Sequence, residues 1–333
     1  MKTLIIGDTH IKNVPSIPGY IDAQIEAISR IICAEKDLDN IIFLGDIFHN
    51  RRPTPTELLK FREVLSSVYV KTKVFLIRGN HESETKSDDG VTALSLYSEN
   101  VITHTKTVGK YTFIPHYENQ KTIEEALSSV PKGNFVFGHF GFDGCLNSIG
   151  NADFSIKRSN FNNPTFLGHI HTFREEARVT LMGTPYTTSF QESGKTSYYG
   201  VLEHEDDQWS FKKNEITWGI RHVTLDYSDL ATKQTHWLQD ENYFTILRIF
   251  MNELDGVPDM RFKKWLIDKY KIKYLDIKFK PVEEEKGEEQ SSFTPGGDVF
   301  QVTDDLIQKY VDGQNSDLSK EDIMKGLEEL RRE

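Results

Sequence analysis

Near-continuous runs of Val, Ile, Leu and Phe alternate with amphipathic segments through the first 80 residues. The apolar runs predict strands at Lys2–Gly7, Asn40–Leu44 and Thr72–Ile77. The amphipathic segments predict helices near Tyr20–Lys36 and Thr56–Val68. Strands that are apolar on both faces are typical of a parallel sheet covered by crossover helices. We therefore expect the chain to begin as an α/β domain.

The pattern changes in the next part of the chain. Two further buried strands are expected at Asn134–Phe137 and Thr165–Leu167. Four alternating or aromatic runs then follow, at Arg178–Met182, Ser197–Glu203, Gln208–Glu215 and Gly219–Asp226. These four runs predict an antiparallel sheet packed on the first layer.

The last 100 residues predict a small module and a tail. A strand (Tyr243–Met251), a helix (Asp259–Tyr270) and a strand (Tyr274–Lys280) indicate a small α+β module. An acidic segment almost without apolar residues follows and favours a flexible linker. We expect a main domain at 1–230, a small domain at 231–282, a linker at 283–297 and a two-helix tail at 298–333. The apolar stripes of the tail contain Leu306, Tyr310, Ile323, Leu327 and Leu330.

Two interpretations of the tail remain open. Two short helices cannot bury their own apolar stripes well, so the stripes favour docking to a partner protein. The alternative is a self-packing helical hairpin or a disordered end.

Composition and charge exclude several classes of protein. The 333 residues are 37% hydrophobic, which suffices for a core, but the apolar runs are far shorter than the about 20 residues of a membrane span. The segment Met1–Gly7 meets Asp8 at once, so we expect no signal peptide. With only two cysteines, Cys33 and Cys145, no disulfide framework or thiolate zinc site is expected, and a reducing cytoplasm fits.

The formal net charge of −11 is unevenly distributed. From Pro281 onward there are 15 acidic and 6 basic residues, which leaves a net charge of −2 on the preceding 280 residues. The acidity therefore belongs to the linker and tail, and it does not exclude nucleic acid as a substrate.

Five buried strands run directly into a glycine that is followed by a residue able to bind a metal. The five pairs are Gly7-Asp8, Gly45-Asp46, Gly79-Asn80, Gly138-His139 and Gly168-His169. Because strand carboxyl ends of an α/β sheet converge on one crevice, these side chains are expected to meet there. A glycine at each junction removes the Cβ that would crowd the site. Three junctions carry a histidine as a further ligand or base: His10, His81 and His171.

Each junction alone has a plainer interpretation. An aspartate after a strand is more often a helix cap or a turn former. A lone His139 is more often a core histidine, and His169 with His171 could be an exposed strand face. Five junctions in order favour a metal site.

The candidate ligands are two carboxylates, one amide and four imidazoles. They are Asp8, His10, Asp46, Asn80, His139, His169 and His171. Mixed oxygen and nitrogen ligands without thiolate suit Mn²⁺, Fe²⁺ or Zn²⁺ better than Ca²⁺ or Mg²⁺. Since 7 side chains are too many for one ion of a hydrolytic site, two ions bridged by a carboxylate are expected. Two divalent ions and two carboxylates leave a net positive site that attracts a phosphodiester.

This series of motifs resembles the five motifs of the calcineurin-like metallophosphoesterases, and the resemblance spans residues 1–171. It implies an α/β (α+β) fold, a two-layered β-sandwich flanked by helices, with a small α+β cap and a helical tail. It also implies that Asp8, His10, Asp46 and His171 hold one metal. Asp46 would bridge to a second metal, held also by Asn80, His139 and His169. Two divalent ions, Mn²⁺ with Mg²⁺ as the alternative, are the cofactors expected.

His81 cannot easily be a ligand beside Asn80. It is better placed as a general acid or as a donor to the leaving oxygen, oriented by Glu82. The alternative is that His81 only supports the metal ligands.

The segment Ile47–Pro53 resembles the SbcD-type and meiotic-recombination-eleven-type repair nucleases. The resemblance implies that His49 faces DNA and assists cleavage, and that Arg51 and Arg52 contact flanking phosphates. Three further features extend this resemblance to the repair nucleases. They are the segment Gly183–Tyr186, the small module in the place of a DNA-capping domain, and the tail. The tail resembles the element that binds an SMC-like ABC ATPase of the SbcC type. The short chain is most like the compact nuclease subunits of large bacteriophages.

The function implied is a metal-dependent DNA nuclease with 3′–5′ double-strand exonuclease and single-strand endonuclease activity. It would act as a homodimer with the ATPase in DNA repair, recombination and replication, in the cytoplasm of the host if the chain is phage-encoded. The alternative is a phosphodiesterase or phosphatase acting on small phosphoesters or phosphoproteins. A phosphatase needs neither His49 nor the cap and tail, so these features discriminate the two.

Overall fold

The computed structural model describes residues 1–68, 71–85, 90–97, 100–146, 154–205, 207–232, 235–252 and 259–280. All described residues belong to one compact unit, Met1–Val282. The predicted linker and tail lie outside the described residues and stay predictions. The same holds for the predicted partner-binding residues Leu306, Tyr310, Ile323, Leu327 and Leu330.

The described residues contain helices and strands with the following bounds. The helices are α1 (Tyr20–Ala34), α2 (Pro55–Ser66), α3 (Gln120–Ser128), α4 (Tyr227–Thr232) and α5 (Met260–Tyr270). The first eight strands are β1 (Lys2–Ile6), β2 (Asn40–Phe43), β3 (Lys73–Ile77), β4 (Val101–Ile102), β5 (Lys106–Val108), β6 (Tyr111–Ile114), β7 (Phe135–His139) and β8 (Thr165–Gly168). The others are β9 (Arg174–Glu176), β10 (Val179–Leu181), β11 (Ser197–Glu205), β12 (Gln208–Ile216), β13 (Gly219–Asp226), β14 (Tyr243–Met251) and β15 (Tyr274–Phe279).

Two six-stranded sheets form the body of the part of the chain that the structure describes. The first has the order β12-β11-β1-β2-β3-β4 and the second has the order β5-β6-β7-β8-β10-β9. They share one buried apolar cluster, to which Ile42 and Phe75 of the first sheet and Phe113 and Phe137 of the second contribute. The two sheets therefore pack as the layers of a β-sandwich.

Helices cover the outer faces of the sandwich. Helices α1 and α2 pack on the first sheet through fully buried side chains such as Ile28 and Phe61, each worth about 1.5–3 kcal/mol of burial. Helix α2 begins at a capping box, in which Thr54 and Glu57 each accept a hydrogen bond from the other's backbone N–H. Helix α3 packs on the second sheet through Ile123 and Leu127. The predicted two-layered sandwich flanked by helices is confirmed.

The predicted antiparallel sheet of four strands is wrong. Strands β11 and β12 extend the edge of the first sheet, and β10 lies parallel to β8 in the second. Strand β13 instead pairs in parallel with β14, which pairs in parallel with β15. This three-stranded sheet, the small sheet, therefore begins at Gly219, before the predicted boundary at residue 230. An alternation of apolar and polar residues shows that one face of a strand is buried, but it does not identify the strand with which it pairs.

The strand order brings the five glycine junctions to one end of the sandwich. Strands β1, β2 and β3 are neighbours in the first sheet, and β7 and β8 are neighbours in the second. Strands β1, β2 and β3 are parallel to one another, and so are β7 and β8, so the carboxyl ends within each set lie at the same edge of their sheet. Among the described residues, no helix is long and apolar enough to cross a membrane.

Candidate metal centre

The loops after β1, β2 and β8 hold their ligands in an uncommon backbone conformation. Asp46, His10 and His169 have φ values of 46°, 43° and 79°, in the left-handed region. The first two loops also bind each other, since the His10 N–H donates to the Asp46 carbonyl at 2.8 Å. Non-glycine residues keep such conformations only where the surrounding structure determines them, and they cluster at functional sites.

The junction glycines allow carboxylates to approach the backbone closely. A Cβ added to Gly79 would overlap Oδ1 of Asp46, and one added to Gly168 would overlap Oδ1 of Asp8. The close approach expected from the sequence is therefore present at both positions.

The first ligand cluster joins the two sheets. It consists of Asp46, Asn80, His139 and His169. The Nδ1–H of His139 donates to the Leu44 carbonyl at 2.8 Å, which leaves the lone pair on Nε2. That Nε2 lies 3.0 Å from Asn80 Oδ1 and 3.3 Å from Asp46 Oδ1. Three lone-pair donors that face one another fit a cation between them.

The second ligand cluster consists of Asp8, His10 and His171. The Nε2 atoms of the two histidines are 2.9 Å apart, and His10 Nε2 is 3.7 Å from Asp46 Oδ2. One oxygen of Asp8 accepts the His169 N–H at 2.8 Å. The other, Oδ1, is buried without a hydrogen-bond partner among the described residues. A buried carboxylate oxygen needs such a partner or a cation, so this oxygen fits a metal ligand.

Burial and neighbouring charges shift the pKa values of residues in both clusters. Burial and the charge of Asp46 raise the pKa of Asp8 well above its usual value. Burial would also raise the pKa of Asp46, but His139 and the other nearby imidazoles hold it well below the usual value. Burial lowers the pKa values of His10 and His139, which favours the neutral rings that offer lone pairs. Metal binding requires this protonation state.

His81 and His49 lie at the open side of these clusters. The Nδ1–H of His81 donates to the His49 carbonyl at 2.5 Å, and its backbone N–H donates to Asp46 Oδ1 at 2.9 Å. The His81 side chain is 34% exposed, and its Nε2 is 3.9 Å from Asp46 Oδ2. The His49 ring centroid is 5.6 Å from that of His81, and burial followed by Lys12 lowers the pKa of His49 to about 4.

The expectation that Glu82 orients the His81 ring is wrong. The two carboxylate oxygens of Glu82 accept the Phe48 N–H at 2.8 Å and the Gly79 N–H at 3.0 Å. The ring of His81 is held by the carbonyl of His49 instead. Glu82 therefore joins the loops after β2 and β3, and burial and then Asp46 raise its pKa to about 8.

The two arginines predicted to contact DNA both contact the segment that follows His81. Arg51 Nη1 donates to the Ser83 carbonyl at 2.7 Å, and Arg52 Nη2 pairs with Glu84 at 2.7 Å. The Arg52 side chain is 83% exposed, and its Nε also donates to Glu84, at 3.0 Å. Their phosphate contacts stay predictions.

Sequence reasoning missed Glu192. The Nδ1–H of His171 donates to its Oε1 at 2.5 Å, and the Thr188 N–H donates to its Oε2 at 2.6 Å. Burial raises the pKa of Glu192, but the His171 hydrogen bond and Lys195 outweigh it and lower that pKa. Glu192 lies in a short turn outside the glycine junctions, so no local pattern distinguishes it from a surface glutamate.

The chain matches one protein family and is similar to several known proteins. Residues 1–173 match the calcineurin-like phosphoesterase family. The chain is similar to Exonuclease subunit 1 of Enterobacteria phage T4, at 23% identity over 271 residues that cover 69% of this chain and 74% of that protein. It is also similar to the nuclease MPE of Pseudomonas putida, at 17% identity and a TM-score of 0.33, over 63% of this chain and 87% of that one. The match to Vacuolar Protein Sorting 29 of Cryptosporidium parvum has 12% identity and a TM-score of 0.29, over 64% and 96% of the two chains.

Proposed function

This chain belongs to the calcineurin-like phosphoesterase family, and we propose that it is a two-metal-dependent DNA nuclease. The observation that carries the proposal is the proximity of two ligand clusters, with His10 Nε2 of one 3.7 Å from Asp46 Oδ2 of the other and His81 at their open side. The phage T4 relative supports a nucleic acid as the substrate, because it is named an exonuclease subunit and its match covers more of the chain than the family match.

The residues present fit two divalent ions. Asp8, His10, Asp46 and His171 would hold one, and Asp46, Asn80, His139 and His169 would hold the other. Bound there, the ions supply an activated water and stabilise charge on the phosphoryl oxygens. We propose Mn²⁺ over Mg²⁺ because four of the seven ligands are imidazoles.

The chain's own residues then handle the proton and the leaving group. The His49 carbonyl keeps Nδ1 of His81 protonated, so the proton that moves is the one at Nε2 of His81. In the imidazolium form, Nε2 donates this proton to the leaving oxygen of the DNA. Glu82 holds the two loops that carry His81 and Asp46 at their present distance.

We further propose that the chain is the nuclease subunit of a DNA end-processing complex. The small domain would cap the DNA, and the tail at 298–333 would bind an SMC-like ABC ATPase of the SbcC type. The word subunit in the name of the phage T4 relative supports a partner. The activities proposed are 3′–5′ exonuclease on double strands and endonuclease on single strands. The chain would act as a homodimer in the cytoplasm, of the host cell if it is phage-encoded.

End-labelled duplex and single-stranded DNA, incubated with the full chain in Mn²⁺, Mg²⁺ or chelator, test the proposal. We expect degradation with Mn²⁺ that is lost in chelator and in Asp8→Ala and His81→Ala. The control Lys110→Ala removes an exposed ion pair with Asp207, just before β6 and at the opposite end of the second sheet from His139, and should cleave like wild type. Turnover of bis-para-nitrophenyl phosphate without any DNA cleavage would contradict the proposal and favour a small-molecule phosphodiesterase.

A further inference from the structure

A short segment, residues 187–193, lies between the metal centre and the small sheet β13-β14-β15. We infer that the small sheet sets the position of His171 through this segment. Glu192 and Arg248 are the positioning residues. The inference deepens the proposed function and rests on its metal centre.

One side of the segment holds His171. Both carboxylate oxygens of Glu192 are engaged, one by the His171 ring and the other by the Thr188 N–H of the same segment. Because the Glu192 carboxylate keeps the proton on Nδ1 of His171, the lone pair lies on Nε2, which faces the Nε2 of His10 at 2.9 Å. A carboxylate behind a histidine ligand fixes the orientation of the ring and raises its basicity.

The other side of the segment is held by side chains of the small sheet. The guanidinium carbon of Arg248, on β14, lies 3.9 Å from the ring centroid of Phe190. Asp276, on β15, accepts two hydrogen-bonding contacts from the same guanidinium, at 2.7 and 2.8 Å. Two strands of the small sheet therefore fix the position of the aromatic ring that lies two residues before Glu192.

Backbone groups of β13 bind both ends of the segment. The Thr224 N–H donates to Ser193 Oγ at 3.0 Å at one end. At the other end the His222 N–H donates to Thr187 Oγ1 at 2.7 Å, and the Thr187 N–H donates to the Ile220 carbonyl at 3.3 Å. A shift of the small sheet against the sandwich would therefore move Glu192 and, with it, the His171 ring.

The coupling is specific to one of the two ligand clusters. His171 belongs with Asp8 and His10, whereas the other cluster is fixed by contacts of its own, such as that of His139 with Leu44. A change in the small sheet should therefore alter the affinity of one metal ion and leave the other unchanged.

Titration of the full chain with Mn²⁺, followed by electron paramagnetic resonance and calorimetry, separates the two sites. We expect Glu192→Ala to weaken one Mn²⁺ site by about 10–100-fold, with the other site within about twofold of wild type. Glu192→Gln keeps an acceptor for the Nδ1–H and should lose less. Arg248→Leu should weaken the same site by about threefold or more. The control Lys271→Ala removes an exposed ion pair with Glu241 in the same small domain and should change neither site.

Nitrogen-15 NMR of the histidines gives a second readout on metal-free protein. The His171 ring should be the Nδ1–H tautomer in wild type and a mixture in Glu192→Ala. In the double variant Glu192→Ala with Arg248→Leu, the loss of affinity should be smaller than the two single effects combined, because both act through the same side chain.

Unchanged Mn²⁺ affinities in Arg248→Leu, or an equal loss at both sites in Glu192→Ala, would overturn the inference. Two intact Mn²⁺ sites in a wild-type chain that cleaves no DNA would refute the proposed function instead, and the inference would stand.

Discussion

Replacing Gly79 by alanine tests whether the ligand loops require a residue without a Cβ at this position. The φ of Gly79 lies outside the left-handed region, so alanine meets no conformational strain there. Its Cβ would, however, overlap Oδ1 and the backbone nitrogen of Asp46. Because the loops are fixed by Glu82 on both sides, the Asp46 carboxylate must move.

The size of the effect follows from the overlap. Restoring an ordinary contact requires a shift of about 1 Å, and a misplacement of this size costs about 10²-fold in catalysis. The shift also breaks the hydrogen bond from the His81 N–H to Asp46 Oδ1. Overpacking by one methyl group costs about 1–3 kcal/mol of unfolding free energy. Since Asp46 belongs to one ligand cluster and lies 3.7 Å from His10 of the other, both Mn²⁺ affinities should fall.

The assay combines Mn²⁺ binding, kcat on end-labelled DNA and urea unfolding of Gly79→Ala. The matched control is Gly109→Ala, in the turn between β5 and β6, where an added Cβ has no heavy atom within 4 Å. The φ of +58° at Gly109 costs alanine about 1–2 kcal/mol, so the control loses comparable stability without touching the site. Wild-type kcat and both Mn²⁺ sites in Gly79→Ala would refute the reasoning. An equal loss of activity in Gly109→Ala would show that stability alone is responsible.

Three further predictions concern the side chains around this loop. His81→Ala should lower kcat by about 10²–10⁴-fold with Mn²⁺ affinity unchanged by calorimetry, whereas a weakened metal site would make His81 a supporting residue only. Metal-free protein should lose stability as the pH rises from about 4.5 to about 8, because folded Glu82, with its pKa raised to about 8, binds its proton more tightly than the unfolded chain does. In urea unfolding, the free energy of unfolding should depend less on pH in Glu82→Gln than in wild type. An identical pH dependence would contradict the assignment of this effect to Glu82. Arg52→Ala should reduce the salt slope of DNA binding by about 1 and leave stability unchanged, while Arg51→Ala should destabilise the chain because Arg51 holds the Ser83 carbonyl.

The sequence predicted the fold and the meeting of the ligands because both depend on local patterns. A buried strand is a run of adjacent apolar residues, and each ligand directly follows such a run and its glycine. Parallel neighbours then place those ends at one edge. The structure brings Asp8, His10 and His171 together, although His171 is more than 160 residues away from the other two.

The contacts that the sequence could not predict have no local signature. Glu82 follows His81 directly, yet its carboxylate points to the Phe48 and Gly79 amides, since the order of side chains along a loop does not fix their partners. Glu192 reaches His171 only after the chain has passed through two more strands. The sequence pattern does not assign β13 to its sheet, because its partner β14 comes after α4 and a crossover connection permits parallel pairing.

The distribution of charge connects the proposed capping role with the position of His171. Residues 259–280 contain eight basic and three acidic side chains, in a chain whose net charge is −11. The segment also exposes Trp265 by 50%, with the Lys269 ammonium 4.6 Å from its ring centroid. Basic groups interleaved with an aromatic ring suit a nucleic-acid backbone and its bases.

The same segment carries Asp276, which holds Arg248 and through it the Phe190 ring. If DNA binds this face and shifts the small sheet, it must change the Mn²⁺ affinity of the His171 site. By linkage, Mn²⁺ must then change the affinity for DNA by the same factor. Fluorescence anisotropy of labelled DNA with and without saturating Mn²⁺, in a cleavage-deficient His81→Ala background, measures that factor directly. Adding Arg248→Leu should bring this ratio of DNA affinities toward one. An unchanged ratio would show that DNA binding to the small sheet does not affect the metal centre.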